Sequence, residues 1–164
     1  MEKESTLLAT FKVMIPYIIA VFIGLMFSFI LRNTIKPYIV SGNSMYPTFK
    51  SGNVVRVIDD FDDSDLYSGQ IIVFVHDGKN YVKRIVAVPG DSLYIEDGIL
   101  YVNDLPGINY EEKISDSGIL NKSINLADDE FFCIGDNRNA SLDCRVFGPV
   151  KRTEIIAIVG DKIF

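Results

Sequence analysis

A single histidine, His76, and two cysteines, Cys133 and Cys144, are all the imidazole and thiol groups this chain has. No Cys/His zinc set can be assembled from them, and neither a metal nor an organic cofactor is expected. Two cysteines make no disulfide framework. Cys133, in FFCIG, reads as a buried strand residue and Cys144 as part of a polar loop. His76 opens HDGKN (76–80), which reads as a hairpin tip, so it is expected to be a solvated turn residue. Nothing around it supports the histidine role in a Ser–His–Asp triad. Basic charge is also short: 16 Lys and Arg stand against 22 Asp and Glu, for a net charge of −6. That balance argues against nucleic acid as a partner, which would call for a basic patch.

Charge is missing altogether from residues 13–31, VMIPYIIAVFIGLMFSFIL. As a helix this run would be roughly 28 Å long, close to the ~30 Å hydrocarbon core of a bilayer. Lys12 and Arg32 bracket it, and Pro16 near its start is tolerable in such a span. The run exceeds the apolar region of a cleaved signal peptide, and RNTIKPYIV after it holds no small-x-small cleavage site. It therefore reads as a retained transmembrane helix, with residues 1–12 as a short tail and residues 32–164 as the domain that follows. Basic residues on its two sides, Lys3 and Lys12 against Arg32, Lys36 and Lys50, are nearly balanced, so charge alone does not orient it.

Beyond the span, helical periodicity is scarce. NVVRVI (53–58), QIIVFV (70–75) and YVKRIVAV (81–88) are short, β-branched and bounded by turn residues. SLYIE, ILYVN, FFCI, VFGPV and EIIAIV continue the pattern, which predicts a mainly β, antiparallel domain. Asp97-Gly98, between SLYIE and ILYVN, is a two-residue hairpin signal. Residues 104–130 are polar and turn-rich and read as a smaller lobe or excursion. The chain has no internal repeat and no low-complexity tract.

Three segments carry candidate chemistry. In SGNSMYPTF (41–49), Ser44 stands between a glycine-containing stretch and Met45-Tyr46-Pro47. A serine hydroxyl is a weak nucleophile without an adjacent base. With histidine set aside, a lysine can serve if burial keeps its amine neutral. Lys83 in YVKRIVAVPGD (81–91) fits that need. Strand alternation puts Tyr81, Lys83, Ile85 and Ala87 on one face and Val82, Arg84 and Val86 on the other, so Arg84 is free to meet an acid elsewhere. In GDNRNASLDCR (135–145), Asp136, Arg138, Asp143 and Arg145 surround Ser141, an arrangement suited to a hydrogen-bonded scaffold.

Taken together and in this order after one span, the three segments closely resemble the boxes of type I signal peptidases, with GQIIVFV (69–75) as a further match. The lysine and the small size are similar to the short bacterial, Gram-positive-like form. The resemblance implies a signal-peptidase-type β catalytic domain that cleaves signal peptides from secretory preproteins after Ala-x-Ala sites. It implies Ser44 as nucleophile and Lys83 as general base, with Ser141 orienting the lysine amine. Asp143 and Arg145 align with a structural ion pair, and Asp136 and Arg84 with further supports. Tyr38, Val40, Met45, Tyr81 and Val82 align with the substrate pocket. Gly42 stands where Gram-negative members often have a serine, so a second oxyanion donor is not supplied by that side chain. Cys144, where serine is usual, suggests sensitivity to thiol reagents. The resemblance also implies a single-pass protein of the bacterial plasma membrane, with the N-terminus cytoplasmic and the β domain outside. A monomer is expected.

The stretch from Arg32 to Ser44 spans at most ~40 Å even when extended, which keeps the serine near the bilayer. Two other readings use some of the same residues. A self-cleaving repressor domain shares the Ser–Lys pair but has a DNA-binding module and no span. A membrane-anchored β module could bind partners without cutting, but would have no use for Ser44, Lys83 and Ser141 together.

Overall fold

The computed structural model describes residues 2–34, 36–107 and 113–163, and side chains within 12–29, 36–107 and 113–163. Helix α1 (Glu2–Thr34) has 33 residues and runs through Pro16, for a length of about 50 Å. Its segment Lys12–Phe29 is long and apolar enough to cross a membrane. Val13, Ile18, Phe22 and Leu25 along it are all more than half exposed. The chain divides into two compact units, one ending at Lys36 and the other starting at Pro37.

The second unit is built on β-sheet. Strands β1 (Lys36–Ile39), β2 (Val54–Ile58), β3 (Ile71–His76) and β4 (Lys79–Ala87) are followed by β5 (Ser92–Glu96), β6 (Ile99–Val102), β7 (Leu105–Pro106) and β8 (Ile124–Asn125). Strand β9 (Glu130–Ile134), helix α2 (Cys144–Phe147), β10 (Val150–Lys151) and β11 (Ile155–Lys162) complete it. Among the described residues there is a seven-stranded sheet, in the order β1-β2-β11-β3-β4-β9-β10, and a four-stranded one, in the order β7-β6-β5-β8. The pairs β2–β11, β11–β3, β3–β4, β4–β9 and β9–β10 are antiparallel.

Strand β3 sits inside the large sheet and buries both faces, which is why its sequence is a continuous apolar run rather than an alternating one. Ile72 and Phe74 join one core cluster with Ile85, Ala87 and Phe132. Ile71 and Val73 join the other with Val40, Met45, Phe49 and Val55. Each fully buried Ile, Val, Met or Phe among them contributes about 1.5–3 kcal/mol. The β3–β4 register places Lys83 opposite Ile72 and Arg84 opposite Ile71, so the two basic residues leave the strand on opposite faces.

Several sequence expectations change here. VFGPV is not a strand. Asp143 caps a helical turn by accepting from the Arg145 N–H, and Gly148, at φ 92°, ends it. Strand β10 starts only at Val150. His76 is not a solvated turn residue. It ends β3 opposite Lys79, while Asp77 and Gly78 form the turn at φ 47° and 71°, the left-handed pair that a tight hairpin requires. From the expected lobe, residues 104–130, β7 and β8 join β5 and β6 in the four-stranded sheet, within the compact unit that starts at Pro37. Residues 108–112 of that expected lobe lie outside the described residues.

Candidate active site

Ser44 lies in a tight turn held on both sides. Before it, Gly42 adopts φ +86°, where only glycine is unstrained, and its N–H donates to Ser51 Oγ at 3.3 Å. After it, the Tyr46 and Phe49 amides donate to the carbonyls of Asn43 and Met45. The Ser44 carbonyl accepts from the Asn137 N–H at 3.0 Å, and Asn137 Nδ2 donates to the Asn43 carbonyl at 3.1 Å. The nucleophile candidate is thereby tied to the 135–145 loop through the backbone.

Lys83 Nζ is 2.7 Å from Ser44 Oγ and 3.1 Å from the Val82 carbonyl. The lysine is 3% exposed. Burial pushes its pKa below the ordinary lysine value, and Asp143, Cys144, Cys133 and Asp136 partly oppose that effect. Desolvation penalises the ammonium form, which makes a neutral amine accessible beside the hydroxyl. The Tyr81 ring lies 5.7 Å from Nζ.

Two ion pairs flank this serine–lysine contact. Arg84 holds Asp136 with both ends of its guanidinium, at 2.8 Å from Nε to Oδ1 and 2.6 Å from Nη2 to Oδ2. Thr48 donates to the same carboxylate, so the turn after Ser44 is pinned to it as well. Arg145 reaches Asp143 at 2.9 and 3.0 Å, and Asp143 also accepts the Gly135 N–H at 3.0 Å. Bidentate arginine–carboxylate pairs of this kind fix orientation as well as charge.

Ser141 makes no hydrogen bond to Lys83. Its Oγ is buried without a hydrogen-bond partner and is pressed against Gly135. A Cβ added at Gly135 would fall 2.2 Å from Ser141 Oγ and 2.4 Å from the Ser44 carbonyl oxygen. Sequence reasoning passed over Gly135, Thr48 and Asn137. The GDN opening of the third segment was the available signal, since glycine allows backbones to approach closely.

Tyr38, Val40, Met45, Tyr81 and Val82 all line one cavity of about 320 Å³ that also holds Ser44 and Lys83. Asn80 and Leu142, which the sequence reading did not single out, line it too. His76 is engaged elsewhere, with its ring stacked on Phe147 at 4.4 Å and Nδ1 3.3 Å from Glu154. Cys133 and Cys144 are fully buried and unlinked. The Cys133 N–H points at Cys144 Sγ at 3.2 Å, and burial pushes the Cys133 thiol well up. Neither is placed to react with an external reagent, which corrects the expected thiol sensitivity.

Signal peptidase IB of Staphylococcus aureus is 31% identical to this chain over 169 residues, covering 90% of this chain and 88% of the relative. Signal peptidase I S of Bacillus subtilis (strain 168) is 31% identical over 147 residues, covering 77% and 75%. The crystal structure of a signal peptidase I from Enterococcus faecalis V583 aligns with a TM-score of 0.46 at 22% identity, covering 58% of this chain and 97% of that one. The family model for signal peptidase, peptidase S26, matches residues 12–162, and the chain belongs to that family.

Proposed function

We propose that this chain is a membrane-anchored serine endopeptidase that removes signal peptides from secretory preproteins after small-x-small sites, with Ser44 as nucleophile and Lys83 as general base. The observation that carries the reading is the 2.7 Å approach of a buried lysine amine to a serine hydroxyl. Membership of the signal peptidase family supports the substrate class. A cavity walled by Val40, Met45 and Val82 beside the dyad suits small apolar side chains at the −1 and −3 positions.

Neutral Lys83 takes the Ser44 proton as Oγ attacks the carbonyl carbon of the −1 residue. Charge collects on the carbonyl oxygen, and the Ser44 backbone N–H is the proposed donor to it. The lysine ammonium then protonates the leaving amine as the C–N bond breaks, which frees the mature protein and leaves an ester on Ser44. Lys83, neutral again, deprotonates a water that attacks the ester and regenerates the serine. Arg84, Asp136, Asp143 and Arg145 hold the two loops in register throughout. Ser141 is proposed to orient the amine. Residues 13–31 form the proposed anchor, residues 1–12 the cytoplasmic tail and residues 32–164 the extracytoplasmic domain.

The test is cleavage of a preprotein with an alanine-x-alanine site by the full chain in detergent, with the cut mapped by mass spectrometry. The expected cut follows the second alanine and is lost when that alanine becomes leucine. Equal cleavage of both substrates would remove the proposed specificity.

A further inference from the structure

Phe147 is not among the residues that line the cavity with Ser44 and Lys83, yet it is linked to the lysine through one ring. Phe147 closes α2, the short helix that Asp143 caps. Its ring stacks on His76 at 4.4 Å, tilts against Tyr81 at 5.5 Å and meets Phe74 edge-on at 6.0 Å. Phe74 and Tyr81 face each other across β3 and β4 and stack at 5.6 Å. Tyr81 in turn lies 5.7 Å from Lys83 Nζ and forms part of the cavity wall. Rings at these separations attract and lock one another beyond simple burial.

We propose that Phe147 is a positioning residue for the general base: it holds Tyr81 against the Lys83 side chain, keeps water from that flank, and so sets the pH at which the enzyme becomes active. The proposal rests on the Ser44–Lys83 reading.

The Ser44 hydroxyl, the Val82 carbonyl and the Tyr81 ring lie against Lys83, and the charges of Asp143, Cys144, Cys133 and Asp136 reach it. Stacked on Phe147 is His76, with Glu154 at 3.3 Å and Asp77 at 3.8 Å. Shortening Phe147 removes none of these groups, so any change in the titration of Lys83 reports the hydration and placement of its flank. Burial is the largest influence on this lysine and lowers its pKa. Admitting water therefore raises that pKa, and the neutral base is reached only at higher pH.

The experiment is the pH profile of kcat/KM for the full-length enzyme in detergent. Wild type is compared with Phe147→Leu, Phe147→Ala and Phe147→Tyr, with Lys83→Ala as a control and thermal unfolding followed in parallel. The rising limb is expected to move to higher pH by about 0.5 to 1 in Phe147→Ala, and less in Phe147→Leu. That is a three- to tenfold loss (order of magnitude) below the limb, recovered at alkaline pH. Phe147→Tyr should restore the wild-type limb. A uniform loss at every pH, or an unmoved limb in folded Phe147→Leu, overturns the proposal and leaves only a packing role. Activity retained in Lys83→Ala would instead overturn the dyad itself, whatever the Phe147 variants do.

Discussion

Arg84 and Asp136 form a two-pronged ion pair one strand position away from Lys83, with the arginine side chain 18% exposed and the aspartate 2%. Arg84 also donates to the Gly69 carbonyl at 2.7 Å. The pair thus joins β4, the segment leading into β3, and the loop that carries Asn137 and Ser141.

Removing one partner strands a buried charge. Arg84→Ala is expected to cost about 3 kcal/mol or more of stability, read as a lower denaturation midpoint in urea. Arg84→Lys should recover only part of this, because an ammonium cannot reproduce the bidentate geometry. A full rescue by lysine would show that charge alone matters at this position.

Gly135 has no room for a side chain. An alanine Cβ there would overlap both Ser141 Oγ and the Ser44 carbonyl oxygen, so the serine turn and the loop must part. Displacing a reacting group by an ångström costs on the order of 10²-fold in rate. Gly135→Ala is expected to fold and to lose roughly that much in kcat, checked by steady-state cleavage beside circular dichroism. Wild-type turnover in a folded Gly135→Ala protein would contradict the packing described.

Burial of Lys83 destabilises the fold as the amine becomes protonated. The pKa of this lysine is lower in the folded chain than its ordinary value of 10.5, so between those two values the unfolded chain binds the extra proton. Stability therefore rises with pH through that window. Lys83→Met, which keeps the bulk and drops the charge, should be more stable than wild type at neutral pH. That gain should shrink as pH climbs toward the ordinary lysine value. A gain that is constant with pH would point to packing instead.

The two thiols should be silent in the native enzyme. Cys133 and Cys144 are both fully buried, and the Cys133 thiol is shifted away from the reactive thiolate. A bulky thiol reagent is expected to label neither residue until the protein unfolds, as measured by mass increase with and without denaturant. Rapid native labelling of Cys144 would show that α2 opens.

Much of this arrangement was legible because it is local. The runs around Ile71–His76 and Lys79–Ala87 are dense in β-branched residues, and the turn glycines between strands are explicit. The alternation in YVKRIVAV by itself separates Lys83 from Arg84. What was missed depends on partners distant in the chain. Strand β1 contains Pro37, and only its place beside β2 in the large sheet makes it a strand. VFGPV has the apolar content of a strand, and only the Asp143 cap and Gly148 make it a helical turn. The split between the two sheets cannot be seen in SLYIE or ILYVN, because sheet membership is a matter of pairing. His76 looks solvated in the sequence because its ring partner, Phe147, arrives from the far end of the chain. The placement of Ser141 against Gly135 is likewise a packing outcome that no spacing encodes.

The most direct measurement on the central claim is single-turnover cleavage of an alanine-x-alanine preprotein by wild type, Ser44→Ala and Lys83→Ala, with folding verified for each. Cleavage by wild type alone, with both variants folded and inactive, is the expected result. Cleavage by folded Lys83→Ala at more than a few per cent of the wild-type rate would contradict a lysine base, and with it the dyad on which the account is built.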